Sequence, residues 1–351
     1  MTINPDRVNL AEAIPLTGPL SVNVEMSSRC NFACSFCPTA LPEEWKRVGF
    51  EKRDMDDDLF RKIVDDFKQM PRVKVFNLHM MGESQLHPHF YDLAVYATTS
   101  GIADRYEMRT NGSLLTEGRA QKLVDAGLTR IGISVEAVTN EGYQKLVRAK
   151  PGMLDRVIEG VKNLYVASRG RCRTYAKIVD FRIPETDTER FKELFAPIVD
   201  EVAIEYPEQW NSGLKTDTTL GQGVTLSVNG DPLQDHTACP FSFFTLAINV
   251  TGKTVICCFD WSYQNVIGIA GEQSIKEIWN SPNMFAHWRM QLEGRRKESA
   301  ACRDCTNIQT SPDGVDDHRE KLLERISSVG SRTTLGLHET AAPNENLVQI
   351  R

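Results

Sequence analysis

The sequence predicts an α/β protein of six strand–helix units followed by a smaller C-terminal extension, and three observations carry that expectation. Between residues 21 and 206, short β-branched runs alternate with stretches of helical period, the pattern of parallel strands joined by crossover helices. Past Tyr206 the texture changes to a segment rich in Gly, Thr, Asp, Asn and Pro, residues 207–235, which reads as a linker. Residues 236–310 then show a hairpin-like pair and two capped helices, a second, smaller unit.

Residues 1–20 form an N-terminal extension without a basic start and apolar stretch, so they do not read as a secretory signal. Strands are expected at 21–25, 73–79, 105–109, 130–135, 174–179 and 202–206. The helices between them are expected at 56–69 (apolar at Leu59, Ile63, Val64 and Phe67), 90–99, 117–126, 154–168 and 188–199. Periodicity alone fits either an open doubly wound sheet or a barrel. In the second unit, strands at 243–250 and 254–258 turn through Thr251, Gly252 and Lys253. Ser274 with Glu277 has capping-box spacing, and Ser281 with Pro282 marks another helix start. Residues 311–351 are expected as one charged helix over 312–329 and a tail too poor in apolar positions to order itself.

The chain has 351 residues, 41% hydrophobic and 25% charged, with a net charge of −6, the proportions of a globular protein. No long basic stripe is present, so neither nucleic acid nor a membrane surface is the expected partner, and a small molecule is. No run approaches the roughly 18 apolar residues of a membrane span. The nine cysteines come in tight groups, the usage of a reducing, cytoplasmic compartment in which thiols ligate metal.

Cys30, Cys34 and Cys37 form a CxxxCxxC loop just after the first strand. Three thiolates can hold three irons of a cubane cluster and leave the fourth open to a ligand. The alternative is a zinc knuckle completed by a distant residue. A second set comprises Cys239, Cys257, Cys302 and Cys305, which suits an iron–sulfur cluster with every iron bound, or a four-cysteine zinc ribbon. Cys172 and Cys258 are left over. On an alternating strand Cys258 would face away from Cys257 and be a buried small hydrophobe, or a hydrogen-atom donor to a substrate. His87 and His89 are expected at a helix start, and Lys177, Glu205 and Tyr206 lie on late strands.

With Phe36 at its aromatic position, the cysteine loop resembles the hallmark of the radical S-adenosylmethionine superfamily. Met81, Gly82 and Glu83 look like that family's GGE motif, with Met in place of the first Gly. Thr110, Asn111 and Gly112 after the third strand, and Ser134 with Glu136 after the fourth, resemble its cofactor-contacting segments; Arg148 resembles a partner of the cofactor carboxylate. These motifs fall at the carboxyl ends of successive strands, where such folds place their sites. The second cysteine set resembles the SPASM/Twitch extension of some radical enzymes, without the full seven cysteines, and its spacing is similar to that of the single-auxiliary-cluster dehydrogenase of aminocyclitol antibiotic biosynthesis.

The resemblance implies a partial (β/α)6 barrel over 21–206 and an auxiliary-cluster domain over 236–310. It implies S-adenosylmethionine and a [4Fe-4S] cluster on Cys30, Cys34 and Cys37, with Phe36, Gly82, Glu83, Thr110, Asn111, Ser134, Glu136 and Arg148 about the cofactor. It further implies a second [4Fe-4S] cluster on Cys239, Cys257, Cys302 and Cys305, and an electron donor such as flavodoxin or ferredoxin. The reaction implied is cleavage to a 5'-deoxyadenosyl radical, hydrogen abstraction, and oxidation of a secondary alcohol on a sugar or cyclitol. Epimerisation with Cys258 as donor is the alternative. Modification of ribosomal peptides is another, although the roughly 20 residues before the first strand are too few for a leader-binding domain. A zinc-stabilised binding protein without catalysis is the reading from a different class.

Overall fold

A computed structural model describes residues 8–209 and 217–334. Its strands are β1 (Ser21–Val24), β2 (Val73–Asn77), β3 (Ala103–Thr110), β4 (Arg130–Ser134), β5 (Arg173–Val179), β6 (Glu201–Glu205), β7 (Thr245–Ile248), β8 (Lys253–Val255) and β9 (Val266–Ile269). Its α-helices are α1 (Leu10–Ala13), α2 (Pro42–Val48), α3 (Asp57–Phe67), α4 (Phe90–Thr99), α5 (Glu117–Asp125), α6 (Asn140–Leu146), α7 (Met153–Ser168), α8 (Glu185–Phe195), α9 (Ile275–Trp279), α10 (Pro282–Leu292) and α11 (Arg319–Thr334).

All nine strands join one sheet in the order β6-β5-β4-β3-β2-β1-β7-β8-β9. Strands β1 to β6 pair in parallel, as the alternation of strand and helix requires, because a parallel neighbour is reached only by a crossover. Local chemistry sets the helices. Asp56 caps α3 through its carboxylate, and the helix turns Phe60, Ile63, Val64 and Phe67 into the core. Ser274 and Glu277 make the full capping box of α9, and Ser281 with Pro282 opens α10.

The expected hairpin is present, β7 pairing antiparallel with β8, and it is continuous with the main sheet. Strand β7 continues the main sheet by pairing in parallel with β1, Ser21 opposite Thr245 through Val24 opposite Ile248, and the unexpected strand β9 pairs antiparallel with β8. A buried apolar cluster runs from Leu10 through the strands to Ile326 of α11. Strand β8 stops at Val255, so Cys257 and Cys258 lie beyond it. The linker is also less loose than its composition suggests: Thr218, Thr219 and Ser227 are buried, and the Asn307 amide donates to the Gln209 carbonyl at 2.6 Å. The C-terminal helix is carried further than expected, into 331–334; residues 335–351, where the rest of the expected tail falls, lie outside the described residues. Its Arg325 donates to the carbonyls of Ala11, Glu12 and Ile14, tying both ends of the described chain together. Among the described residues, no helix is long and apolar enough to cross a membrane.

Glu25, just past β1, is fully buried where the two parts of the sheet meet. It accepts from the Val250 amide at 3.1 Å and the Tyr263 hydroxyl at 3.2 Å. Burial raises its pKa to about 7, with those bonds opposing, from an ordinary value of 4.5. The folded state therefore binds this proton more tightly than the unfolded chain does. Its contribution is fully present below pH 4.5 and is lost as pH rises through about 7, a swing on the order of 3 kcal/mol. Denaturant titrations between pH 5 and 8 should show Glu25→Gln gaining on the wild type as pH rises; parallel stability curves would refute this.

Candidate active site

Cys30, Cys34 and Cys37 follow β1 on a loop that hydrogen-bonds to the end of α6, Ala33 to the Val147 carbonyl at 3.2 Å and Ser35 to that of Leu146 at 2.8 Å. All three thiols are free and half-buried. Desolvation raises the pKa of each, that of Cys30 to about 11, with Cys37 adding to the shift at Cys30 and Cys34, and Glu136 adding to it at Cys37. Bound iron would reverse this, since it takes the thiolate. The Phe36 ring packs on Phe181 with centroids 4.9 Å apart.

The other motifs gather at this loop. Glu83 is buried; its carboxylate accepts from Thr110 Oγ1 at 3.0 Å, the Asn111 amide at 2.8 Å and the Gln85 amide at 3.3 Å. Both carboxylate oxygens are thus engaged in joining the two motif loops, and a cofactor ammonium there would share them. Asn111 donates through Nδ2 to Asn31 at 2.9 Å and points the same group at Cys30 Sγ, 3.9 Å away. Gly82 has φ +76°, and a Cβ there would meet the Ser27 carbonyl at 2.3 Å. Ser134 ends β4 opposite Lys177 of β5. Glu136 is buried close enough to Cys34 and Cys37 to raise both thiols, and its Oε2 has no hydrogen-bond partner among the described residues, an acceptor in want of a donor. Arg148 is exposed, at φ 53°, immediately after the segment that holds the cysteine loop.

The second cysteine set closes on one cavity, lined by Cys239, Cys257, Cys302 and Cys305. Buried Gln291 braces it, accepting from the Cys239 amide at 3.1 Å and donating to Cys302 Sγ at 3.6 Å. Among the described residues, no three His, Cys, Asp or Glu side chains lie close enough together to hold a single metal ion, as either zinc alternative needs. Separate thiolates around a shared void suit a cluster, in which each binds a different iron. The expected alternation at Cys258 fails because the strand has ended: the Cys257 and Cys258 side chains hydrogen-bond to each other.

Between the two sets lies a charged cluster that the sequence left unoriented. Lys177 of β5 and Arg109 of β3 both approach Glu205 of β6, at 3.4 Å and 3.5 Å, and Arg109 Nε donates to the Tyr175 hydroxyl at 2.8 Å. Gly132 makes room for Tyr175, since a Cβ there would lie 2.3 Å from its ring. Burial opposes the Lys177 ammonium, but Glu136 and Glu205 outweigh it and hold its pKa above the usual lysine value. Burial likewise raises Glu208 to about 7, with Glu205 adding and Arg109 opposing. Cys258 feels both Glu208 and Arg109, which places it on the rim of this cluster.

Arg109, Tyr175 and Glu208 were absent from the sequence expectation, although alternation along β5 puts Tyr175 and Lys177 on one face. Tyr206 turns elsewhere, its ring against Gly230. His87 and His89 serve the start of α4, bonding to the Met55 carbonyl and the Asp57 carboxylate. Cys172 is buried core.

A parallel sheet with a three-thiol loop at its carboxyl edge and a four-thiol cavity alongside defines a two-cluster iron–sulfur protein. Residues 24–181 match the radical SAM superfamily, and residues 239–306 match an iron–sulfur cluster-binding domain of the SPASM type. The chain belongs to the radical SAM superfamily, with a SPASM-type extension; its cofactors are S-adenosylmethionine, a [4Fe-4S] cluster and an auxiliary iron–sulfur cluster. It is 22% identical over 298 residues to an S-adenosyl-L-methionine-dependent 2-deoxy-scyllo-inosamine dehydrogenase of Niallia circulans, covering 85% of this chain and 96% of the relative. A tungsten-containing aldehyde ferredoxin oxidoreductase cofactor-modifying protein of Pyrococcus furiosus is 33% identical over 115 residues, 33% of this chain and 30% of the relative. Among solved structures, BtrN in complex with AdoMet and 2-DOIA has a TM-score of 0.53 at 20% identity, covering 84% of this chain and 96% of that one. Streptococcus suis SuiB bound to S-adenosylmethionine reaches 0.63 at 14% identity, covering 87% and 75%. At these identities the structures show a shared fold.

Proposed function

We propose that this chain oxidises a secondary alcohol of a sugar or cyclitol to a ketone. One observation carries the proposal: a charged cluster of Arg109, Lys177, Glu205 and Glu208 links the two cysteine sets, meeting Glu136 beside Cys34 on one side and Cys258, next to Cys257, on the other. We assign Cys30, Cys34 and Cys37 to the S-adenosylmethionine cluster and Cys239, Cys257, Cys302 and Cys305 to the auxiliary one. When bound, the cofactor and its cluster supply the radical that takes a hydrogen atom from carbon, while the auxiliary cluster, closed to substrate, can only accept an electron. The chain's own residues orient the substrate. Fixed charges of both signs on neighbouring strand ends suit a polyhydroxylated, amine-bearing ring better than an apolar ligand. Near-full-length similarity to the inosamine dehydrogenase supports the same class.

The test is anaerobic reconstitution, then incubation with reductant, S-adenosylmethionine and 2-deoxy-scyllo-inosamine beside a panel of related cyclitols and sugars. Ketone should form in step with 5'-deoxyadenosine. Cys302→Ala should retain uncoupled cleavage and lose ketone. A chain that carries zinc without sulfide and cleaves no cofactor would overturn the proposal.

The position of Cys258 favours a second reading, epimerisation, because its thiol lies near Glu208 and Arg109 of the same cluster. Cys258→Ala separates the two. A dehydrogenase keeps its ketone, whereas an epimerase loses product and still makes 5'-deoxyadenosine.

A further inference from the structure

We infer that Gln291 raises the reduction potential of the auxiliary cluster by donating a hydrogen bond to its Cys302 ligand, with His287 holding the amide in place. The inference rests on the assignment of Cys239, Cys257, Cys302 and Cys305 to that cluster, and not on which substrate is oxidised. Helix α10 turns Met284, Trp288 and Leu292 into the core, and on its buried side it also carries a histidine and a glutamine one turn apart, His287 and Gln291. Polar side chains so placed are costly unless they are bonded, so their partners are informative.

The partners form a chain with one direction. Gln291 Oε1 accepts from the Cys239 amide at 3.1 Å, which fixes the orientation of the side-chain amide, because a backbone N–H can only donate. Nε2 therefore offers two hydrogens. One is directed to Cys302 Sγ at 3.6 Å and the other to His287 Nε2 at 3.1 Å. Burial lowers the His287 pKa to about 4, so at neutral pH the ring is uncharged and holds one proton. Since Nε2 accepts, that proton sits on Nδ1, which faces the Asn265 side-chain amide 2.9 Å away, and this tautomer requires Asn265 to present its oxygen. The sequence of bonds from Asn265 through His287 and Gln291 thus ends with an N–H aimed at a ligand sulfur.

Reduction of an iron–sulfur cluster adds negative charge that its sulfurs share, and an N–H aimed at one of them stabilises the reduced form more than the oxidised one. In a desolvated site that preference is strengthened. The neighbours of Cys302 do not share this geometry. Arg296 and Asp260 line the cavity with opposite charges, Arg296 donating to the Cys302 carbonyl, and Ser299 approaches Cys302 from within its own turn. Gln291 is therefore a positioning residue that tunes the electron acceptor, with no contact to substrate.

A redox titration read by electron paramagnetic resonance tests this on the reconstituted full chain, in a Cys34→Ala background that leaves the auxiliary cluster as the signal. Gln291→Met keeps the length and removes the donor; at a fixed potential its reduced-to-oxidised ratio should fall about tenfold, a shift of about 59 mV for one electron. His287→Leu, which releases the amide, should shift the potential the same way by less. Trp288→Phe, on the same helix, touches neither bond and should leave it unchanged. A second measurement needs no change at Gln291: with 15N in the glutamine side chains, the reduced cluster should show hyperfine coupling to 15N, since Gln291 is the glutamine that lines the cavity. An unchanged potential in Gln291→Met with about four irons retained, equal shifts in Gln291→Met and Trp288→Phe, or no 15N coupling overturns the inference. A Cys34→Ala chain that holds no iron–sulfur cluster overturns the ligand assignment, and the inference with it. Neither measurement uses an alcohol, so failure of the alcohol-oxidation proposal is read separately.

Discussion

Cys34→Ala is expected to abolish cleavage of S-adenosylmethionine and to lower the iron count from about eight to about four per chain. The middle thiol of the loop is desolvated and feels Glu136, Cys37 and Cys30, so its loss falls at the centre of the thiol group. The loop itself should survive, because backbone bonds from Ala33 and Ser35 to α6 hold it without help from the sulfur. Circular dichroism and melting of the chain without clusters therefore separate lost chemistry from lost fold. Near-normal cleavage in this variant would mean that the first cluster is held elsewhere. Cys302→Ala provides the contrast: the same loss of about four irons, with cleavage retained.

Gly82→Ala should be among the most destructive alanine substitutions at the described glycines. At φ +76° an alanine adopts a left-handed conformation, and its Cβ would meet the Ser27 carbonyl at 2.3 Å and the Arg29 carbonyl at 2.7 Å, both backbone atoms that cannot swing aside. Conformational strain and overpacking together cost about 3 kcal/mol. The collision falls on the segment leading into Cys30, so cofactor affinity should fall along with stability. Gly101→Ala is the control. At φ +71° nothing lies within 4 Å of its Cβ, leaving only the conformational cost of about 1–2 kcal/mol. Equal melting shifts in the two variants would show that the close approach at Gly82 does not matter.

How much of the site was legible depended on how local its signals were. Cys30, Cys34 and Cys37 were visible because all three sit within a single loop, and the Gly–Glu and Thr–Asn–Gly segments because each occupies a strand end. Their union was less visible: that Glu83 spends its carboxylate on Thr110 and Asn111 depends on β2 and β3 pairing in register. Cys258 was misplaced for the opposite reason. Alternation holds only while a strand lasts, and β8 ends at Val255.

By itself, the sequence determined the six parallel strands, the helix starts at Asp56, Ser274 and Ser281, and both cysteine sets. These follow from hydrophobic period, capping side chains and ligand spacing, all written within a few residues of one another. Only the tertiary structure decided that β7 extends the main sheet beside β1. It also brought Arg109, Lys177 and Glu205 into one charged cluster, with Glu208 and Cys258 beside it. The physical reason is separation along the chain: more than 200 residues lie between Ser21 and Thr245, which pair, and no local pattern encodes a backbone ladder or a charge cluster assembled across such a distance.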